Sequence, residues 1–342
     1  MHHLKPDFLA RLGISLLCFS VVLSLSRTQA GTAPATQELP LYKADPGPWA
    51  VAVRDRDWTD TKRNRDIPVR IYLPSMPDDA TPRPVIIISH GWGGSRTTYR
   101  YFAEHLASYG YLVISPTHKG SDTAAALAGA ASGQTPAAGA RSAMFEGVND
   151  PENLRNRPKD ISFVIDEISR HSDLAKIADL SHIGMAGHSF GAYTAMAIGG
   201  MTVALPEGKK TSLRDPRVKA VLPMSPQGSG FLGISAGAWD AFAVPVLFLT
   251  GTKDYGSGGR AATWRDEPFK AVHTVPEWIV TIIDGTHMTF ARPGQDAPLI
   301  DSVGTAFFDA NVLGDPKAIE WMNDFFAAKH DDCEVDHKVP TN

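Results

Sequence analysis

Apolar residues in this 342-residue chain fall into two kinds of short segment, and the two kinds alternate. Unbroken runs of β-branched and aromatic residues read as strands buried on both faces, whereas apolar residues at i, i+3, i+4 and i+7 read as helices with one buried stripe. "PVIIISHGWGG" (Pro84 to Gly94) is of the first kind, because Val85 to Ile88 leave neither face for water. "YLVISP" (Tyr111 to Pro116), Ile183 to Ala186, "VKAVLPMSP" (Val218 to Pro226), "VPVLFLTGTKD" (Val244 to Asp254) and "EWIVTIIDGTH" (Glu277 to His287) are further strands. Between them lie helix patterns. Tyr99, Phe102, Ala103 and Leu106 form one stripe, with Gly110 placed to end it. Pro158 opens a second helix, with Ile161, Val164, Ile165 and Ile168 on one face; Ala192 to Ile198 form a third, and Asp315 and Pro316 begin a last one carrying Ile319, Met322 and Phe326. "WAVAVRD" (Trp49 to Asp55) and "IPVRIYLP" (Ile67 to Pro74) have no helix between them and predict an antiparallel hairpin at a sheet edge. The alternation predicts an α/β fold with a mostly parallel central sheet and helices on both faces. Residues Lys119 to Asp150, rich in Ala, Gly and Ser, are expected to form a loop or lid. With no repeat and no linker, residues 31–342 are expected to be a single domain.

The first thirty residues depart from this pattern. Lys5 and Arg11 precede the apolar stretch Leu12 to Leu25, and "TQA" ends at Ala30, the layout of a cleavable secretory signal. The stretch is shorter than the roughly 20 residues that span a bilayer. The expectation is a secreted or periplasmic product with no stable membrane span. Cys18 follows the bulky Leu17, which argues against a lipid-anchored cysteine. After cleavage Cys333 stands alone, so no internal disulfide can form. The 33 basic residues against 37 acidic ones, with no basic run, exclude nucleic acid as an expected partner. No C-x-x-C or H-E-x-x-H spacing points to a metal, and none is expected.

Chemistry enters at "GHSFG", Gly187 to Gly191. A strand that turns sharply into a helix with Ser189 at the apex of G-x-S-x-G fits a nucleophile elbow, which projects the hydroxyl above the sheet. A serine hydroxyl is a poor nucleophile at neutral pH and needs a base, itself held by an acid. The chain order of an α/β hydrolase is Ser, acid, His. Asp254 and His287 each follow a buried strand through a short turn, so both stand with Ser189 at the carboxyl edge of the sheet. Asp284 is the rival acid and His273 the rival base. "HGWGG" (His90 to Gly94) leaves another buried strand and can aim the Trp92 N–H, beside that of Phe190, at an oxyanion. His90 is expected to fix that loop, and His188 to pack or hydrogen-bond locally. The substrate pocket is expected to be lined by Trp92, Phe190, Met288, Phe231 and Trp239.

The segments "SHGWGGSRTTYRYFAEHLASYGYLVISPTHKGSD", "NRPKDISFVIDEI", "GMAGHSFGAYTAM", "LFLTGTKD" and "DGTH" resemble those of bacterial α/β hydrolases related to dienelactone hydrolase and plasma-type platelet-activating-factor acetylhydrolase. The resemblance spans roughly residues 48–329. It implies ester hydrolysis with Ser189 as nucleophile, Asp254 as acid and His287 as base, on a small-molecule or lipid ester and without a cofactor. Dienelactone hydrolase proper carries a cysteine where Ser189 stands, which argues against a cyclic lactone. Cutinase-type polyester hydrolases commonly carry a C-terminal disulfide that Cys333 cannot form. The expected activity is that of a secreted serine carboxylesterase on small or medium acyl esters. Polyester or phospholipid acyl hydrolysis, amide hydrolysis and a non-catalytic binding role on the same fold are the alternatives.

Overall fold

The computed structural model describes residues 39–77, 81–133, 135–206 and 210–340. The expected export signal lies outside them. Residues from Leu39 onward form one compact unit.

The strands are β1 (Val51–Asp60), β2 (Arg65–Pro74), β3 (Arg83–Ser89), β4 (Leu112–Pro116), β5 (Ala178–His188), β6 (Thr202–Ala204), β7 (Lys210–Ser212), β8 (Val218–Met224), β9 (Val246–Lys253), β10 (Glu277–Thr286) and β11 (Cys333–Lys338). Nine of them make one sheet in the order β1-β2-β4-β3-β5-β8-β9-β10-β11, and β6 pairs with β7 alone. From β4 to β10 neighbours run parallel. The β1–β2 hairpin closes one side and β11 the other, each antiparallel to its neighbour.

Alternation along β3 divides the core. Val85 and Ile87 join the apolar cluster on one face, and Ile86 and Ile88 the cluster on the other. Helices α4 (Pro151–Arg170) and α6 (Phe190–Gly199) cover the first face. Helices α1 (Arg100–Ser108), α8 (Ala297–Phe308) and α9 (Pro316–Ala327) cover the second. Short helices α5 (Ser172–Ala175) and α7 (Glu267–Ala271) lie in connections. No helix of the described residues is long and apolar enough to cross a membrane.

Two expectations need correction. Residues 119–150 are not a loop: they fold into the helical hairpin α2 (Thr123–Ser132) and α3 (Pro136–Asn149), capped by Asp122 and Thr135. The hairpin closes on small side chains, so close that a Cβ on Gly129 would overlap Ala143. Pro158 does not open α4 either. That helix begins seven residues earlier, at Pro151, with Asp150 as its N-cap, and Pro158 lies inside it. A proline there leaves the carbonyl four residues back without its helical partner. That carbonyl belongs to Leu154, and the Tyr193 hydroxyl donates to it at 3.0 Å.

Candidate active site

Four turns leave the carboxyl ends of β3, β5, β9 and β10, and each presents one component. At the end of β5, Ser189 adopts φ 57° and ψ −118°, a backbone conformation that costs about 1–3 kcal/mol. Its surroundings hold it there. The Ser189 N–H donates to Met224 O at 3.0 Å, and Gln227 Nε2 donates to Ser189 O at 2.8 Å. The flanking glycines are needed because the chain doubles back on itself: a Cβ on Gly191 would overlap the Ser89 carbonyl, and one on Gly187 the Gly191 carbonyl.

His287 Nε2 lies 3.0 Å from Ser189 Oγ, and its Nδ1 lies 3.0 Å from Asp254 Oδ1. Asp254 is fully buried. Burial pushes its carboxyl upward, but the His287 hydrogen bond and the Arg265 charge outweigh this and hold it below the usual carboxylate range. The rivals are placed elsewhere. Asp284 is exposed and pairs with Lys253 at 2.8 Å, and His273 is exposed with Nδ1 on Ala271 O.

Arg265 is a component that the sequence reading missed. Its buried guanidinium contacts Asp254 Oδ1 at 2.6 Å and donates to the carbonyls of Ser225 and Pro226 at 3.0 and 2.8 Å. Its Nη2 also lies 3.0 Å from His287 Nδ1. Both are donors when Nδ1 carries the proton shared with Asp254, so this last contact is not a hydrogen bond in that tautomer. No apolar period marks Arg265, which sits in the short 3-10 helix Ala262–Asp266 after β9.

The HGWGG loop is held from below. Neutral His90 accepts from the His118 N–H at Nε2 (2.9 Å), so its Nδ1–H donates to Gly91 O at 2.6 Å; burial, followed by the Arg157 charge, keeps the ring uncharged. Arg157, wholly buried on α4, donates to His90 O, Ser89 Oγ, Ser121 Oγ and Thr194 Oγ1, and stacks 4.4 Å from the centre of the Phe190 ring. Among the described residues, neither the Trp92 nor the Phe190 N–H is bonded to a protein carbonyl. They are the two free donors beside Ser189.

His188 does more than pack. Burial, then the neighbouring His287, lowers its pKa to about 3, so the ring is neutral. Its Nε2–H donates to His287 O at 2.8 Å, its Nδ1 accepts from the Tyr99 hydroxyl at 2.7 Å, and Tyr99 Oη accepts from the Gly91 N–H at 3.4 Å. One chain of hydrogen bonds thus ties the glycine loop, the elbow and the histidine turn together.

A cleft of about 250 Å³ opens over Ser189, walled by Trp92, Met144, Phe190, Phe231, Trp264 and Tyr255. Two expected pocket residues are absent from it. Trp239 is buried in the core cluster, and Met288, half exposed, does not line the cleft. Met144 and Val148 come from α3, which packs so tightly on Trp92 that a Cβ on Gly147 would enter the indole ring. The helical hairpin therefore forms a wall of the cleft. One His/Asp/Cys group exists among the described residues, at His330, Asp332 and Cys333. Burial pushes the Cys333 thiol up to about 12, away from the thiolate form that binds metals, and His330 Nε2 donates to Phe325 O at 2.8 Å.

A search of curated proteins finds no match to the chain. Residues 77–171 match the family model described as platelet-activating factor acetylhydrolase, isoform II. The match runs from β3 through the glycine loop to the end of α4; Ser189, Asp254 and His287 lie beyond it. Sheet order and family match together give the chain an α/β-hydrolase fold and make it similar to the platelet-activating factor acetylhydrolases, a family of hydrolases acting on ester bonds.

Proposed function

We propose that the protein is an exported serine carboxylesterase acting on small or medium acyl esters. The observation that carries this reading is the pair of 3.0 Å contacts linking Ser189 Oγ, His287 and Asp254 on a strained elbow that opens into a cleft. Export is supported by the apolar stretch that follows Lys5 and Arg11.

In the mechanism, Ser189 Oγ attacks the ester carbonyl as its proton passes to His287 Nε2. Asp254 accepts the Nδ1–H and stabilises the imidazolium. The Trp92 and Phe190 N–H groups bind the oxyanion, and one such donor is worth about 10²–10³ in rate. Collapse of the tetrahedral adduct breaks the C–O bond as His287 returns its proton to the departing alcohol. Water then repeats the sequence on the acyl-serine, releasing the acid and restoring Ser189. The cleft of about 250 Å³ suits a short acyl group better than a long one.

The test is hydrolysis of p-nitrophenyl esters from acetate to palmitate by the protein and by Ser189→Ala. Turnover should favour the short esters and fall by about 10⁶-fold in kcat in the variant. An active Ser189→Ala protein, or no turnover of any ester together with no fluorophosphonate labelling of Ser189, would overturn the reading.

A further inference from the structure

A second cavity, of about 840 Å³, adjoins the catalytic cleft. Met144, Phe231 and Ser257 line both, so the two spaces share a wall. One wall of the outer cavity is α3, with Met144 and Phe145 exposed upon it; Phe145 is 62% exposed. Such an apolar surface would receive the body of a ligand too large for the inner cleft.

Two arginines line this cavity, Arg141 from α3 and Arg260 from the segment that follows β9. Neither has a carboxylate partner among the described residues, in a chain whose net charge is −4 and where Arg63, Arg65, Arg70, Arg96 and Arg217 are all ion-paired. Arg260 is held in place without an acid. Its guanidinium lies 5.5 Å from the centre of the Phe231 ring and 5.1 Å from that of Trp264, and it donates to Ser257 O at 2.6 Å and Gly230 O at 3.2 Å. A guanidinium has five N–H donors, so this one keeps several directed away from its anchors. It is an anchored cation in a cavity that shares walls with the cleft over Ser189.

We infer that this outer cavity is an anion subsite, and that the preferred substrates are esters bearing a carboxylate or phosphate at the end remote from the scissile bond. The inference rests on the esterase reading and adds the substrate class to it. The short side of the ester occupies the inner cleft, the apolar linker lies along Phe231 and Met144, and the terminal oxyanion meets Arg260 and Arg141. A carboxylate or a phosphate can each accept two N–H groups from one guanidinium.

The test compares matched pairs: monoethyl adipate with ethyl hexanoate, and 1-acetylglycerol 3-phosphate with 1-acetylglycerol. At low salt, kcat/KM for the anionic member of at least one pair should exceed that of its neutral partner by about tenfold, the effect of one charged hydrogen bond. That ratio should shrink at high salt. It should fall towards one in Arg141→Gln, in Arg260→Gln and in the double variant, while Arg260→Lys keeps part of it. The pair that responds identifies the source of the anion. Turnover of the neutral esters with no anionic advantage, or an advantage that survives both Gln substitutions, overturns the subsite and leaves the esterase reading standing. No turnover of any ester, with Ser189 unlabelled by a fluorophosphonate, overturns both.

Discussion

Ser189, Asp254 and His287 could be picked out of the sequence because each ends an unbroken apolar run, and the ends of parallel strands share one rim of the sheet. Arg265 could not, since nothing in "TWRDEPFK" distinguishes a buried arginine from a solvated one. Trp239 misled for the opposite reason: an aromatic residue in a loop near the site is as easily core as pocket. Arg265 makes a sharp prediction at this scale. Its planar fork bonds Asp254 Oδ1 and two carbonyls at once, a geometry that a lysine ammonium cannot reproduce. Arg265→Lys should therefore let the acid and histidine drift, lowering kcat by up to about 10²-fold while KM changes little. Steady-state kinetics on p-nitrophenyl acetate would show it, and an unchanged kcat would remove Arg265 from any positioning role.

Among elements, the parallel strands were readable to within a few residues except β5, which starts five residues before Ile183, whereas α4 was misjudged by two turns. The cause is physical. The buried stripe of α4 runs Leu154, Arg157, Ile161, Val164 and Ile168, and an arginine occupies one of its core positions. That arginine supports the glycine loop from beneath, so it interrupts the apolar period that announces a helix. Helix α2 gave no signal because it buries none of its residues, and small residues leave no stripe to read. The defect that Pro158 creates in α4 is mended by Tyr193, one helix away, and this gives a prediction. Tyr193→Phe keeps the ring and its packing but leaves Leu154 O without a donor in a buried setting. Such a group costs about 1–3 kcal/mol. The urea midpoint should fall accordingly, and no shift would mean that water or helix relaxation replaces the hydroxyl.

For the whole molecule, the α/β class and the edge hairpin followed from alternation alone, while β11 and α8 did not. β11 is charged and short, and α8 is so uniformly apolar that it lacks a polar face to define a period. Helix α8 also takes part in a balance of protons across the fold. Asp301 on α8 lies 3.7 Å from His105 on α1. Burial raises Asp301 from 3.8 to about 7 and lowers His105, also near Lys43, from 6.5 to about 4. Between pH 4 and 6.5 the unfolded chain holds one proton on the histidine and the folded chain holds one on the aspartate. Equal proton counts make this pair's contribution to stability nearly flat across that window. Asp301→Asn removes the folded-state acceptor, so the unfolded chain then binds more protons and stability must fall as pH drops from 6.5 to 4. Urea titrations of both proteins at several pH values would show a steeper acid loss in the variant, and parallel curves would contradict the balance.

The two outermost strands have a consequence of another kind. β1 presents Arg54, Asp55, Arg56 and Asp57 along an exposed flank, and β11 presents Glu334, Asp336, His337 and Lys338. Open edges invite other chains to add a strand, the first step towards aggregates and fibres. Here a newcomer pairing with either edge would have to strip water from a row of polar and charged side chains before gaining a single backbone hydrogen bond. The sheet's own borders thus oppose its growth by strand addition.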